Sequence, residues 1–259
     1  MKQFLMAMVT ITLLIFSTKA CSQTQHIVAS KNYITKKVKV DNFSKISLTG
    51  SPDIIYTQSD GKPSVQIYGS DNIVNIVKTV VEGETLVVKF SNNTIIQNSG
   101  KLEIRVSTPK LTEVNVAGSG DITLVNGIKE EKSLSFTITG SGGINGSGIS
   151  CRNLSLSVQG SGDIRLSRIA NEETRVNVIG SGDIELEGNS RVAEFNVNGS
   201  GNINAETLKV ENLNARVSGS GDISCYATKN LKARVIGSGE IAYKGNPQLD
   251  SSKKGVHKL

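Results

Sequence analysis

Apolar and polar residues alternate strictly over short stretches of this chain. Leu154, Leu156 and Val158 fall on one parity, with Ser155, Ser157 and Gln159 on the other. A Gly160-Ser161-Gly162 triplet follows, and the alternation resumes in phase, with Ile164 and Leu166 set against Asp163 and Arg165. The same pattern recurs with Val176, Val178, Ile184 and Leu186, with Phe195, Val197 and Ile203, and with Leu213, Val217 and Ile223. A period of two predicts strands with one buried and one wet face.

The glycine punctuation is itself periodic. The triplet occurs at Gly118 and Gly120, Gly140 and Gly142, Gly160 and Gly162, Gly180 and Gly182, Gly199 and Gly201, Gly219 and Gly221, and Gly237 and Gly239. Successive copies are 22, 20, 20, 19, 20 and 18 residues apart, and Gly50-Ser51-Pro52-Asp53-Ile54 is a degenerate earlier copy. A unit of about twenty residues holds about two short strands and cannot bury its own apolar face, so units must stack. The fold predicted is all-β, a parallel β-helix with Gly-Ser-Gly corners. At about 4.8 Å per strand, seven turns rise roughly 30 Å. Glycine at the corners supplies backbone conformations closed to other residues and lets neighbouring turns approach. The serine between them has backbone or column neighbours to bond.

Residues 41–110 keep the alternation without the triplets, at Ile46 and Leu48, Val65 and Ile67, Leu86 and Val88, and Leu102, Ile104 and Val106. Turn signals at Asp60-Gly61, Glu82-Gly83 and Asn98-Ser99-Gly100 separate them. These are irregular first turns or a β-rich cap, with regular repeats over 111–245. Beyond Gly245 the consensus decays, and 246–259 is expected as a polar tail with Lys253, Lys254 and Lys258. Composition agrees: 26 glycines, 4 prolines and no tryptophan suit short strands and tight turns.

The first twenty residues stand apart. Lys2 precedes an apolar run from Phe4 to Phe16, then Ser17-Thr18-Lys19-Ala20-Cys21. This predicts a signal peptide over 1–20, too short for a mature anchor, and export from the cytoplasm. Its removal takes Lys2 and Lys19 and no acid, lowering the formal charge from +6 to +4. Scattered charge at that level gives no argument for nucleic acid. Cys21 resembles the acylated cysteine of a bacterial lipobox, although Thr18 stands where leucine is usual and Lys19 is atypical. The alternative is plain cleavage after Ala20. Either way 21–40 is expected as a tether, and contact with a membrane runs only through a lipid on Cys21.

Catalytic chemistry finds little footing. The two histidines, His26 and His257, lie outside the repeats, which removes a histidine triad or a multi-histidine metal site. Cys225 holds the position of Leu124, Leu166, Leu186 and Ala205, a core column, and Cys151 sits four turns away at about 19 Å, beyond the ~7 Å limit of a disulfide. Both read as buried small hydrophobes. One outward column is acidic: Asp121, Gly143, Asp163, Asp183, Asn202, Asp222 and Glu240. Asp163, Asp183, Asp222 and Glu240 are the candidates for Ca²⁺, which wants six to eight oxygens, against the alternative that Asp and Asn simply close turns. A glycosidase pair at Asp163 and Asp183 would lack aromatic platforms, its neighbours being Gln159, Arg165, Ile179 and Glu185.

The Gly-Ser-Gly-Asp-Ile repeats, Gly143-Ile144-Asn145 and the leader Phe43-Ser44-Lys45-Ile46-Ser47 together resemble the head GIN domain family of exported bacterial auto-transporter adhesins. The resemblance covers about residues 41–245. It implies a right-handed β-helix, frequent lipid anchoring and a role in adhesion, and it brings no catalytic residue and no cofactor. The expectation is a non-enzymatic module of the periplasm, outer membrane or cell surface, a single domain over 41–245 that meets a protein or glycan ligand. The alternative is a periplasmic carbohydrate-binding or carbohydrate-active β-helix.

Overall fold

The computed structural model describes residues 25–91, 94–98, 100–252 and 254–259. Residues 1–20 and Cys21 lie outside the described residues. The body is a parallel β-solenoid of about seven turns, ~20 residues each. Each turn pairs in register with the next, so Gly118 lies beside Gly140, Gly140 beside Gly160, Gly160 beside Gly180 and Gly180 beside Gly199. Inward parity forms one continuous core from Phe43 to Ile241. Phe136 and Phe195, the largest of its repeat-body side chains, are fully buried.

Two short strands per unit was the expectation; in the middle of the stack each turn is nearly one strand. Asp163–Gly180 and Asn202–Gly219 each run 18 residues, interrupted only at the next Ser-Gly pair. The bend within them is made by register shifts, as between Leu166 and Ile169, where Arg168 takes a positive φ of 52°. A bulge turns the chain without ending its ladder. At a further bend, buried Thr174 bonds Asn171 and Ser190, so the polar groups inside that corner are satisfied.

The Gly-Ser-Gly corner has a definite bonding scheme. The carbonyl of Gly160 accepts the N–H of Ser181 at 2.8 Å and of Gly182 at 3.0 Å, and Gly180 does the same for Ser200 and Gly201. The two glycines are required for different reasons. Gly180 has φ +117°, closed to L side chains, whereas Gly182 has an ordinary φ but a Cβ there would overlap the Gly162 carbonyl. The serine expectation fails: Ser161, Ser181 and Ser200 are exposed, and among the described residues no corner hydroxyl bonds a protein group. The backbone already satisfies the corner, which leaves the hydroxyl to solvent.

Both ends depart from the expected tether and tail. Tyr33–Val38 is a strand antiparallel to Ser64–Ser70, with Ile34 and Val38 packed on the core. Gln25–Val28 pairs in parallel with Thr94–Asn98. The interspersed lysines hide that alternation in the sequence. Ser64–Ser70 is in turn antiparallel to Glu103–Thr108, and a short helix, Asp71–Val74, buries Ile73 and Val74 against this end of the coil. At the other end Gln248–Ser251 pairs with Asn230–Ala233, and Val256–Lys258 with Ile241–Tyr243. Pairing needs backbone rather than consensus side chains, so the stack continues past the last triplet.

The corner scheme makes a test. Gly182→Ala should destabilise by at least ~3 kcal/mol, while Ser181→Ala stays within ~0.5 kcal/mol. Urea unfolding of each variant followed by circular dichroism measures both.

Candidate functional site

The outward acidic column follows directly from the corner. The residue after the second glycine points to solvent, and its side chain reaches the backbone of the next turn. Asp163 accepts the N–H of Asp183 at 3.2 Å, Asp183 accepts that of Asn202 at 3.1 Å, Asn202 that of Asp222 at 3.0 Å, and Asp222 that of Glu240 at 2.8 Å. Asp53, in the degenerate first copy, serves Asp121 in the same way at 2.9 Å. The structure therefore brings Asp163, Asp183, Asp222 and Glu240 into one column, as a ladder of side-chain caps.

Asn202 does not break this ladder. Its amide oxygen serves the turn above while its NH₂ donates to Asp183 at 2.9 Å. That exchange, one donor down and one acceptor up, needs an amide and was invisible to a count of acids. The true gap is Gly143, where the N–H of Asp163 turns to the Gly142 carbonyl at 3.1 Å.

Part of the remaining carboxylate capacity is engaged as well. The second oxygen of Asp163 meets Arg165 at 2.9 Å, and Arg165 spans to Glu185 at 3.8 Å. Glu240 lies 3.8 Å from His257 of the final strand. Among the described residues no three His, Cys, Asp or Glu side chains converge as a metal would require. The depressions on this face hold about 200 Å³ beside Arg165, Asp183, Glu185 and Asn202, and about 300 Å³ beside Asn145, Arg165 and Glu187. Neither is lined by an aromatic ring. Phe136 and Phe195 are spent in the core, and the stacked pair Tyr33 and Tyr68, 5.8 Å between centroids, lies in the N-terminal cap instead.

The two cysteines are free and buried. Burial, aided by the nearby charge of Glu206, pushes the Cys225 thiol up to about 12, and its Sγ faces the Ala242 carbonyl at 3.6 Å. Burial raises Cys151 to about 11, with Glu130 adding to it. Neither is a nucleophile at neutral pH. The glycines at 118, 120, 140, 142, 160, 162, 180, 182, 199, 201, 219, 221, 237 and 239 all stand at corners.

Comparison with known proteins gives one family. The family model described as "Putative auto-transporter adhesin, head GIN domain" matches residues 42–247. A crystal structure of a "putative adhesin" from Bacteroides fragilis NCTC 9343 is 33% identical with a TM-score of 0.69, over 90% of this chain and 98% of that one. That of a "putative lipid binding protein" from Parabacteroides distasonis ATCC 8503 is 29% identical with a TM-score of 0.85, over 91% and 100%. A "putative adhesin" from Parabacteroides merdae ATCC 43184, 24% identical with a TM-score of 0.83 over 91% and 99%, shares the fold. No curated protein matches the chain.

Two outcomes are expected. Asp183→Ala should cost about 1 kcal/mol by orphaning the Asn202 N–H, whereas Asp183→Asn, which copies the natural Asn202, should cost less than about 0.5 kcal/mol; urea midpoints compare them. The cysteines give a pH dependence. A thiol with a raised folded pKa adds stability that is complete below the unfolded value of about 8.5 and is lost as pH climbs toward 11 and 12. Melting temperatures from pH 8 upward should therefore fall less in Cys225→Ala than in the parent, relative to each protein at pH 7.

Proposed function

We propose that this chain, which belongs to the family of the auto-transporter adhesin head GIN domain, is a non-enzymatic surface-interaction module of the cell envelope, exported and tethered through an acylated Cys21. The observation that carries this reading is the employment of the acidic column. Its carboxylates and amides hold turn to turn, so among the described residues this column presents no acid and base poised over a cleft. A protein without a deep site binds by area, and the solenoid offers area in columns of outward polar residues. One such column is Asn115, Thr137, Ser157, Asn177 and Asn196, side by side across successive turns. The adhesin names of the similar structures support the same reading.

A carbohydrate-binding role is the second reading. The stacked Tyr33 and Tyr68, with the Lys101 ammonium 5.5 Å from the Tyr68 ring, favour it. Such a pair could seat one sugar ring, but it lies in the cap, away from the repeated face.

The two readings separate experimentally. The labelled chain from residue 21 onward should bind whole cells saturably, and Ser157→Lys, Asn177→Lys and Asn196→Lys together should weaken that binding about tenfold or more while leaving the melting temperature unchanged. A glycan array should show no defined ligand. An oligosaccharide whose binding is abolished by Tyr33→Ala would establish the second reading in place of the first.

A further inference from the structure

Charge is divided unequally between the two parts of the fold. Residues 25–110 carry eleven Lys and Arg against seven Asp and Glu, a net of +4, and residues 111–259 carry sixteen of each, a net of zero. The whole excess therefore belongs to the N-terminal cap. Within it Lys31, Lys36, Lys37 and Lys39 fall in nine residues without an acid. Together with Lys62 they are exposed, and among the described residues none of the five makes an ion pair. Elsewhere in the cap Lys45, Lys101 and Arg105 are ion-paired, as are Arg165, Arg175, Lys229, Arg234 and Lys244 in the repeat body, so what sets these five lysines apart is their clustering without acids.

The topology puts these lysines at one pole. Tyr33–Val38 pairs only with Ser64–Ser70, which pairs with Glu103–Thr108, which pairs with Ile54–Gln58, which joins the first regular turn. It is one edge strand at this end, as Val77–Glu82, paired with Thr85–Phe90, is another. Lys37, Lys39 and Lys62 line an open concavity of about 810 Å³, in which Asp41 is the acidic member. Lysines on an edge strand guard against pairing with a stray strand. That explains Lys36 and Lys37 but not Lys31, Lys39 and Lys62, which lie outside the strand.

Exposed apolar side chains are spread along the molecule, Val125, Ile179 and Ile236 among them, and three lie near these lysines. Val28 is 56% and Ile95 48% exposed on neighbouring strands, and the ring of Tyr33 is 42% exposed. Lysines mixed with a tyrosine and isolated aliphatic side chains are the composition of a membrane–water interface. The anchor point fits: three residues, Ser22 to Thr24, separate Cys21 from the first strand at Gln25, so an acyl chain there holds the start of that strand within about 14 Å of the lipid.

We propose that the N-terminal pole of the coil is a docking surface for an anionic phospholipid bilayer, with Lys31, Lys36, Lys37, Lys39 and Lys62 against the headgroups. A single acyl chain gives marginal attachment, and a basic surface beside it supplies a second signal. The neutral repeat body then stands away from the lipid. The placement rests on the export proposed above, but the bilayer contact is measurable without the acyl group or any cell-surface ligand, so either can fail alone.

The test uses the chain from residue 21 onward with Cys21→Ser, sedimented with phosphatidylcholine vesicles with and without about 30% phosphatidylglycerol. Binding should require phosphatidylglycerol and fall steeply between roughly 0.05 and 0.5 M salt, as the Debye length shrinks. Lys36→Glu, Lys37→Glu, Lys39→Glu and Lys62→Glu combined should lower it at least ~30-fold, and the milder Lys→Gln set at least ~10-fold, with circular dichroism unchanged. The same charge reversal on the body, at Lys129, Lys209, Arg216 and Lys232, should change it less than about threefold. No vesicle binding, equal loss in cap and body variants, or binding to soluble heparin but not to vesicles would each overturn the proposal.

Discussion

Everything in this fold depends on how closely two successive turns can approach at one corner. The carbonyl of Gly118, Gly160, Gly180, Gly199 and Gly219, each the first glycine of a triplet, accepts two backbone N–H groups from the turn above, the serine's and the second glycine's. Bonds of 2.8–3.1 Å at a place where the chain also reverses direction leave no room for a Cβ. The strands on either side inherit their register from this contact. A one-residue slip would put the valines and isoleucines outside and the serines and aspartates inside. The corner is thus a register pin repeated at every turn, and the core columns are regular because it is.

The same contact explains the column beside it. Once the second glycine is fixed, the next residue faces solvent with its N–H near the previous turn, and a short acceptor side chain completes the bond. Asp and Asn are interchangeable in that task, as Asn202 between Asp183 and Asp222 demonstrates. Carboxylates so placed are a poor stock for catalysis, because any reaction that withdrew one would release a backbone donor at a corner. An ordered row of acids here is architecture first.

The repeat body was legible in the sequence because its two signals, period-two alternation and a twenty-residue glycine beat, are both direct consequences of this geometry. Cys225 could be placed in the core by counting from the triplet, and it lies there fully buried. The less legible parts are those where backbone pairing persists without the consensus. In Tyr33–Val38, Lys36 occupies the parity shared by Ile34 and Val38, so the strand reads as a polar tether. In Val256–Lys258 three residues are too few to show a period at all. The bonding of Asn202 in both directions was hidden for another reason. Composition shows a break in a row of acids, and only the positions of the donor and acceptor show that the row continues.

A solenoid exposes strand edges at its two poles, and the two poles of this one are finished differently. The first is closed by antiparallel strands and a helical turn that buries Ile73 and Val74, and the second by short parallel strands with His257 and Lys258 outward. Closing an edge requires charge or cover, but it does not require the surplus charge of residues 25–259 to fall within residues 25–110. Edge protection would be served as well by paired or alternating charges, as along the repeats. A cluster of lysines without acids at one end of the stack gives the molecule a charge polarity along its axis. The outward columns run along that axis and face sideways from it, so contact at the charged end would leave them open.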